Sequence, residues 1–334
     1  MSDGARVFVE APARLHFGVL DLRGDLGRRF GGVGAAVAAP SLLLEARAAS
    51  VLEAEGPDAP RALEFARRFA AYHRLDLRLH FCVHRAIPAH AGLGSGTQLA
   101  LAVARASAEL MGLETDVATL AQAVERGRRS GVGTWTFAHG GFVLEGGRRD
   151  SGDTVAPLLA RLPVPPSWRS VVVVPKGKPG LAGEEEAAAF ARLPPPSASD
   201  VEHVAHLVIM QLLPALAEAD LAGFGAALGE VQRITGGWFA PAQGGVFAPG
   251  ETGDLIEGLR EWGAAGVGQS SWGPAVYGIV GDASGARALA ERVRGVLRPG
   301  GVVYESGFSA AGARVWQEAG SPVQSARSGF SRPD

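Results

Sequence analysis

The stretch 92–97 (GLGSGT) has the residue types and spacing that suit the binding of a phosphate group. Glycines at alternate positions allow positive φ angles and let the backbone approach a ligand closely. An apolar, alanine-rich segment follows at 97–111, where we predict a buried helix. The free N–H groups and the positive dipole end of such a helix attract phosphate. The predicted phosphate contacts are Gly92, Leu93, Gly94, Ser95, Gly96 and Thr97.

A plain tight turn between a strand and a helix would also need these glycines, and it is the alternative to phosphate binding. The stretch lacks the Gly-Lys-Ser/Thr of a Walker A loop. Its glycines are also spaced differently from those of the dinucleotide-binding fingerprint. The pattern therefore favours phosphate binding without specifying a nucleotide.

Charged and titratable side chains are concentrated in the N-terminal segment 14–32 (RLHFGVLDLRGDLGRRFGG). Arg14, Arg28 and Arg29 are candidate counter-charges, because a guanidinium matches phosphate or carboxylate with paired hydrogen bonds. His16, between two apolar residues, could protonate a leaving oxygen if it faces a cleft. Each of these residues also fits an ordinary role, as a solvated surface arginine or as a structural histidine.

Two aspartates in the same segment are candidate metal ligands. Asp21 and Asp25 could bind Mg2+ through their carboxylate oxygens, with a pyrophosphate completing the coordination shell. Together with Arg14 and His16, Asp25 is also a candidate catalytic residue. As alternatives, Asp21 fits a capping position and Asp25 fits a turn.

Two further glycine-rich stretches could bring backbone and hydroxyl groups to the same ligand. The first, 130–141 (SGVGTWTFAHGG), follows a predicted helix at 113–129, and the second, 263–280, leads into an apolar strand. In this hypothesis Ser270 and Ser271 contact a second phosphate. The predicted contacts from these stretches are Ser130, Gly131, Gly133, Thr134, Gln269, Ser270, Ser271 and Trp272.

The elements that must position these groups are a mixture of strands and helices. Alternation of apolar residues predicts a strand at 75–84, directly before the first glycine-rich stretch. The prolines of 162–168 (LPVPPSW) indicate a domain boundary. We therefore predict an N-terminal domain at 1–165, a C-terminal domain at 166–318 and a disordered tail at 319–334.

Composition limits the classes of function. The chain has 334 residues and a net charge of −2, so no basic excess points to nucleic acid. Cys82 is the only cysteine, which excludes an internal disulfide and argues against a cysteine-based zinc site. The first residues lack the apolar core of a signal peptide, and no apolar run approaches the length of a membrane helix. We expect a cytoplasmic protein without membrane association.

The order of these motifs resembles the GHMP kinase superfamily of small-molecule kinases. The shared features are a polar-aromatic N-terminal loop, GLGSG after a strand, and a glycine-rich strand entry near the C-terminus. The resemblance implies a two-domain α+β fold, with an N-terminal half like ribosomal protein S5, a ferredoxin-like C-terminal half and the ligand in the cleft between them. The sequence departs from the kinases at Gly133-Thr134, near the position where many of them carry a catalytic aspartate.

Four segments are similar to one branch of that superfamily, the β-ribofuranosylaminobenzene 5′-phosphate synthases of methanopterin biosynthesis. They are 14–32, 130–142, 180–190 and 268–278 (GQSSWGPAVYG). The resemblance implies that phosphoribosyl pyrophosphate condenses with 4-aminobenzoate, or with 4-hydroxybenzoate, to a C-riboside 5′-phosphate, releasing CO2 and pyrophosphate. It also implies Mg2+ as cofactor, no use of ATP, and a homodimer. Because CO2 rather than a proton leaves the ring, this chemistry tolerates the absence of the kinase aspartate.

Several alternatives stay open at the level of the sequence. The chain could be an ATP-dependent GHMP small-molecule kinase, or an inactive member that senses a phosphorylated metabolite, and no residue distinguishes an amine from a hydroxyl acceptor. Trp135 and Trp272 are candidate walls for an aromatic ring, although tryptophan is more often part of a core. His139 fits either a cleft or a turn. Glu184–Glu186 fits a solvated helix N-terminus.

Overall fold

Two long antiparallel strands, β1 (Arg6–Asp21) and β2 (Phe30–Ala48), form the centre of the first sheet. The structure, a computed structural model, describes residues 5–149, 155–177, 180 and 183–319. The pairing of β1 with β2 is irregular between His16 and Gly18, within the segment that carries candidate catalytic residues. Elsewhere alternate residues of β1 face the core, as the period of a strand requires: Val7, Val9, Ala11, Ala13, Leu15 and Phe17.

The rest of the first sheet consists of shorter strands. Strand order is β11-β1-β2-β4-β3, and β5 pairs with both β2 and β6. The last strand therefore closes one edge of the sheet against β1, although it comes from the far end of the chain. The bounds are β3 (Glu53–Glu55), β4 (Leu79–Arg85), β5 (Phe142–Glu145), β6 (Leu158–Leu162) and β11 (Arg314–Glu318).

Helices pack on this sheet, and one of them begins within the first glycine-rich stretch. They are α1 (Ala59–His73), α2 (Ser95–Met111), α3 (Val117–Ala123) and α4 (Val132–His139). Helix α2 packs against β1, β2 and α1, and its residues from 98 to 104 are all buried. The buried helix predicted at 97–111 is thus confirmed.

The second sheet is antiparallel, with the strand order β10-β7-β9-β8. Helices α9 (Glu251–Glu261) and α10 (Ala283–Val296) pack on it and bury their apolar faces against Val171 and Val173. The strands are β7 (Arg169–Val174), β8 (Gly266–Gln269), β9 (Val276–Val280) and β10 (Val302–Gly307).

Helix α8 (Leu221–Gln243) joins the two halves, because it packs against both β8 and β1. Phe17 of β1 contacts Phe224 of α8 and Tyr277 of β9, with ring centroids 6.3 Å and 5.3 Å away. One continuous apolar core therefore extends across both halves. Between β7 and α8 the chain forms α5 (Gly183–Arg192), α6 (Ala198–Leu207), a π-helical turn (Val208–Leu212) and α7 (Leu213–Ala217).

The architecture confirms the predicted α+β class with two sheets. The boundary at 165 stays a prediction, whereas β11, assigned to the C-terminal domain, pairs with the first sheet. The predicted disordered tail lies outside the described residues except for Ala319. No helix in the described part of the chain combines the length and the apolar character needed to cross a bilayer.

Two predictions of local structure were wrong. The helix expected at 113–129 is confined to α3, because Glu125 and Gly127 adopt positive φ angles that a helix does not continue through. Its N-cap is Asp116, whose side chain accepts a hydrogen bond from Thr119 N. The stretch 130–141, expected to be a glycine-rich turn, contains α4.

Candidate active site

A cavity of about 250 Å3 lies where β1, the start of α2, α5, α8 and the turn between β8 and β9 come together. Guanidinium groups, amides and aromatic rings dominate its walls. The polar and aromatic lining residues are Arg14, His16, Phe30, Thr97, Glu125, Arg126, Arg128, Arg129, Ser130, Glu186, Phe190, Gln232, Thr235, Phe239, Gln243, Phe247, Gln269, Ser271 and Trp272.

The glycine-rich stretch 92–97 lies directly against the turn between β8 and β9. Ala275 N donates a hydrogen bond of 3.0 Å to Ala91 O. Gly92 has a φ of +80°, and a Cβ at this position would lie 2.0 Å from the carbonyl oxygen of Ser270. Two of the three glycine-rich stretches therefore meet, and their contact requires glycine at position 92.

The start of α2 offers free backbone donors. Gly94 is the N-cap, with a φ of 79° and no side-chain cap, and its carbonyl oxygen accepts from Thr97 N and Gln98 N at 3.0 Å each. Within the described ranges, the N–H groups of Ser95 and Gly96 have no hydrogen-bond acceptor. Unpaired donors at the positive end of a helix form the anion site expected from the sequence.

Ser270 is a fully buried hydroxyl that ties the two halves together behind this loop. Its Oγ donates to Gly92 O over 2.7 Å and accepts from the backbone N–H of His16 over 3.0 Å. The Arg14 guanidinium donates to Gly92 O and lies 3.5 Å from Ser270 Oγ. The Ser270 hydroxyl is thus committed to protein partners, in contrast to the phosphate contact predicted for it.

At neutral pH the buried His16 side chain is neutral, whereas the buried Arg14 side chain is positively charged. Burial, together with the nearby Arg14 charge, lowers the pKa of His16 to about 3. Burial also lowers the pKa of Arg14 to about 10, against the opposing effect of Glu186. At neutral pH the cavity therefore holds a neutral imidazole beside a cationic guanidinium. A neutral His16 can form hydrogen bonds in the cavity, and its role as an acid stays a prediction.

A buried carboxylate lies behind His16. His16 Nε2 is 3.2 Å from Ser130 Oγ, and the next residue, Gly131, donates its backbone N–H to the carboxyl group of Glu145. Glu145 is fully buried and accepts from the backbone N–H groups of Gly131 at 3.0 Å and Gly147 at 2.8 Å. Burial raises the pKa of Glu145 to about 7, and these hydrogen bonds limit the rise. Glu145 thereby fixes the backbone on which Ser130 faces the cavity.

Arginines surround the start of α2. A Cβ on Gly96 would lie 2.7 Å from Nη2 of Arg61 and 3.6 Å from Nη2 of Arg126. Burial, together with the charges of Arg61 and Arg68, lowers the pKa of Arg126 to about 10, so Arg126 is still protonated at neutral pH. Among the described residues, no carboxylate forms an ion pair with Arg126. The cavity therefore carries positive charge beside the free N–H groups.

Aromatic rings and one carboxylate line another part of the cavity. Trp272 contacts Phe190 and Phe239 edge to face, with ring centroids 5.4 Å and 4.9 Å away. Trp272 Nε1 donates to Glu186 Oε1 over 3.2 Å, and Arg129 forms an ion pair of 2.9 Å with Glu186 Oε2. Burial raises the pKa of Glu186, while Arg129 and Arg14 oppose the rise. The cavity is thus amphipathic, with a cationic part and an aromatic part.

Comparison with known proteins identifies the family. Residues 60–141 match the GHMP kinases N terminal domain, and residues 212–298 match the GHMP kinases C terminal domain. The chain is 33% identical over 324 residues to a beta-ribofuranosylphenol 5′-phosphate synthase of Methanothermobacter thermautotrophicus, covering 90% of this chain and 96% of that protein. The chain belongs to the beta-ribofuranosylphenol 5′-phosphate synthase family. A relative of the same name from Archaeoglobus fulgidus is 36% identical over 290 residues, covering 83% of this chain and 88% of that protein.

The synthase family shares its fold with GHMP kinases. A homoserine kinase from Cytophaga hutchinsonii superposes with a TM-score of 0.68 at 17% identity, covering 95% of this chain and 99% of the kinase. A mevalonate diphosphate decarboxylase from Staphylococcus aureus also gives a TM-score of 0.68, at 12% identity, covering 95% and 99%. Identities this low show a common fold and no more. The predicted GHMP-like architecture is confirmed.

The structure brings some of the residues predicted for this synthase to the cavity and leaves others outside it. Gly92, Gly94 and Gly96 belong to the loop that leads into α2, Leu93 is buried in the core, and Thr134 is buried in α4. Trp135 stacks on His139 elsewhere and donates to Ala156 O. The predicted residues that line the cavity are Arg14, His16, Thr97, Ser130, Gly133, Gln269, Ser271 and Trp272.

Of the predicted metal and counter-charge residues of the N-terminal segment, Arg14 lines the cavity, whereas Asp21, Asp25, Arg28 and Arg29 lie outside its lining. Asp21 Oδ1 accepts from the backbone N–H groups of Arg23 and Gly24, which is the alternative capping role. Asp25 is paired with Arg23 at 2.7 Å and its side chain is 59% exposed. Arg28 donates to Gly147 O over 3.0 Å. In the ranges that the structure describes, no group of three or more His, Cys, Asp or Glu side chains could hold a metal ion.

Sequence reasoning missed the arginines of 126–129 and the aromatic residues of α5 and α8. The basic run ERGRRS at 125–130, directly before the second glycine-rich stretch, was a usable signal for the arginines. Phe190 and Phe239 had no such signal, because an apolar residue on a helix looks the same whether it faces a core or a cavity. Glu186, expected on a solvated helix start, is one of the cavity carboxylates of this synthase.

Proposed function

We propose that the protein condenses phosphoribosyl pyrophosphate with 4-aminobenzoate or 4-hydroxybenzoate to a C-riboside 5′-phosphate, releasing CO2 and pyrophosphate, in methanopterin biosynthesis. The observation that carries the proposal is the amphipathic cavity, in which arginines beside a helix N-terminus and a cluster of aromatic rings share one space. A phosphorylated sugar and an aromatic ring are substrates that match these two parts. The names of the relatives specify this class of product for those proteins.

The cationic part of the cavity suits a ligand with several phosphate charges. The free N–H groups of Ser95 and Gly96 can bind one phosphate, and Arg126 can form paired hydrogen bonds to a neighbouring one. Arg14, held rigid by Gly92 O and Ser270, adds a fixed positive charge. In this proposal these groups stabilise the negative charge that develops on pyrophosphate as its bond to the ribose C1′ breaks.

The electron balance needs no strong base. The C1′–O bond breaks with its electron pair going to pyrophosphate, and the ring carbon that carries the carboxylate donates a π pair to C1′. The bond from that carbon to the carboxylate then breaks, CO2 leaves, and its electron pair restores the aromatic ring. No proton is transferred, which agrees with a neutral His16 and with glycine and threonine at positions 133 and 134.

Under this proposal the acceptor can carry either an amine or a hydroxyl group. Both groups donate electrons to the ring from the para position, so both activate the carbon that is attacked. The relatives are named for a phenol product, which 4-hydroxybenzoate would give. A competition assay with equal concentrations of the two acids measures the preference directly.

Mg2+ stays a predicted cofactor, and both of its candidate ligands have other partners in the structure. Asp21 and Asp25 are engaged in a turn and in an ion pair, and no cluster of three metal-ligating side chains is present in the described ranges. We therefore assign no step to Mg2+ here. The earlier expectations of Mg2+ dependence, of a homodimer and of a cytoplasmic location stay predictions.

The deciding experiment uses purified protein, phosphoribosyl pyrophosphate and carboxyl-labelled 4-aminobenzoate or 4-hydroxybenzoate. We expect labelled CO2 and pyrophosphate in equal amounts. ADP formed from ATP with a small alcohol, without CO2 from either benzoate, would replace the proposal with a GHMP kinase. Binding of phosphoribosyl pyrophosphate without turnover in either assay would indicate a sensor.

A further inference from the structure

Three aromatic rings and one carboxylate form a compact group in the cavity. Phe190, Phe239 and Trp272 contact one another in pairs, with ring centroids between 4.9 Å and 5.7 Å apart. Glu186 and Phe190 are four residues apart on α5, so they share one face of the helix. The group thus combines an apolar surface for a flat ring with an acceptor of hydrogen bonds.

Glu186 has bonding capacity left for a ligand. Trp272 Nε1 and Arg129 each occupy one site on a different carboxylate oxygen, and a carboxylate has about four acceptor sites. The Glu186 side chain is 22% exposed, and this residue lines the cavity. The two contacts fix its orientation, since each holds one oxygen.

We propose that these residues form the acceptor subsite, in which the benzoate ring packs against Phe239 and Trp272 and its para amino or hydroxyl group donates a hydrogen bond to Glu186. The inference rests on the proposed function, because it names where the aromatic substrate of that reaction binds. It makes Glu186 a residue that touches the substrate.

The hydrogen bond to Glu186 stabilises charge that develops on the acceptor during the reaction. When the ring carbon attacks C1′, the ring loses an electron pair, and the para nitrogen or oxygen takes up much of the positive charge. A carboxylate at that atom stabilises the charge, and it does so more strongly inside a partly buried cavity than in water. Departure of CO2 then returns the electron pair to the ring and removes the charge. Glu186 accepts a hydrogen bond throughout and takes no proton in the net reaction.

The other carboxylate of the cavity is less suited to this role. Glu125 is 46% exposed in its side chain, and it forms ion pairs with both Arg68 at 2.9 Å and Arg128 at 3.4 Å. The acceptor contact is therefore assigned to Glu186 rather than to Glu125.

The test compares Glu186→Gln with Glu185→Gln, an exposed neighbour on the same helix. We expect Glu186→Gln to lower kcat/KM for 4-aminobenzoate by about 10- to 100-fold, because the negative charge that strengthens this hydrogen bond and offsets the developing positive charge is lost. Glu185→Gln should behave as the wild type. Isothermal titration with 4-aminobenzoate and with benzoate, each with pyrophosphate present, adds a readout that a merely structural role would not move. We expect the wild type to prefer the para-substituted acid and Glu186→Gln to lose that preference.

The outcomes separate the subsite from the reaction itself. If the wild type releases no labelled CO2, the proposed function fails whatever the variant does. If the wild type is active and Glu186→Gln still prefers 4-aminobenzoate over benzoate, the subsite assignment is wrong and the function stands. Equal weakening of the binding of 4-aminobenzoate and of benzoate would also overturn the subsite assignment. Should Glu186→Gln fail to fold, Trp272→Phe decides, because it keeps a ring but removes the N–H that orients Glu186; an unchanged preference would count against the assignment.

Discussion

At the scale of single residues, burial decides which charges the cavity carries. Arg14, with its pKa lowered by burial to about 10, is still cationic at neutral pH, whereas His16, with its pKa lowered to about 3, is neutral. Arg126 also has no ion pair with a carboxylate among the described residues, and it lies beside the start of α2. An unpaired guanidinium next to free N–H groups is the arrangement that a phosphate would complete.

Replacing Arg126 tests that arrangement. Arg126→Met keeps the apolar stem over the Phe65 ring, which lies 4.8 Å from the guanidinium carbon, but removes the charge. We expect KM for phosphoribosyl pyrophosphate to rise by about 10-fold or more, with a smaller effect on KM for the benzoate. Steady-state kinetics with each substrate varied in turn gives both values. Arg78→Met, at an exposed ion pair, is the control, and equal KM values in the two variants would contradict the role of Arg126.

At the scale of elements, the cavity depends on the hydrogen bond that attaches Gly131, the residue before α4, to the end of β5. Glu145 ends β5 and accepts hydrogen bonds from Gly131 and Gly147, so a strand end fixes the loop that carries Ser130. The carboxyl group keeps its proton in the folded protein up to about pH 7, against an ordinary value of 4.5. Between these values the folded state binds a proton that the unfolded state has lost, so stability falls as pH rises.

Glu145→Gln should remove this dependence. From about pH 5 to about pH 8 we expect the free energy of unfolding of the wild type to fall by about 2–3 kcal/mol more than that of the variant. Chemical denaturation at both pH values measures the difference. His16 acts in the opposite direction, since its lowered pKa costs stability as pH falls below about 6.5, but it is present in both proteins and cancels. Parallel pH profiles would show that Glu145 does not titrate in this range.

The start of α2 was predictable from the sequence, whereas α4 and the position of Phe239 in the cavity were not. The start of α2 followed from glycines before an apolar run, and Arg14, His16 and Thr97 do line the cavity. The helix α4 was missed because its glycines indicated a turn, whereas Gly131 is its N-cap. Phe239 reaches the cavity only through the packing of α8 between the two halves, which depends on contacts distant in sequence.

At the scale of the whole molecule, the two halves are joined at the point where the cavity opens between them. The contact between Gly92 and Ser270 connects the glycine-rich stretch to the turn between β8 and β9, and Phe17, Phe224 and Tyr277 continue the connection in the core. A change at Gly92 therefore acts on both the stability of the protein and the geometry of its site.

The variant Gly92→Ala measures how much the contact between Gly92 and Ser270 contributes to the free energy of unfolding. Its Cβ would lie 2.0 Å from Ser270 O, whereas a Cβ on Gly112, at a φ of +67°, would meet nothing within 4 Å. We expect Gly112→Ala to cost about 1 kcal/mol from backbone strain alone, and Gly92→Ala to cost about 3 kcal/mol or more. Urea denaturation of the two variants gives both values. Equal losses of unfolding free energy in the two variants would mean that the contact between Gly92 and Ser270 accommodates the added methyl group without cost.

The return of β11 to the first sheet has a consequence for synthesis of the protein. Among the described strands β1 is synthesised first, and its outer edge pairs with residues 314–318, more than 300 positions later. A ribosome-bound chain can form the β1–β2 hairpin but cannot cover that edge until residues 314–318 have been synthesised. The nascent chain thus exposes an unpaired strand edge, which favours pairing with other chains, while the intervening residues are being made.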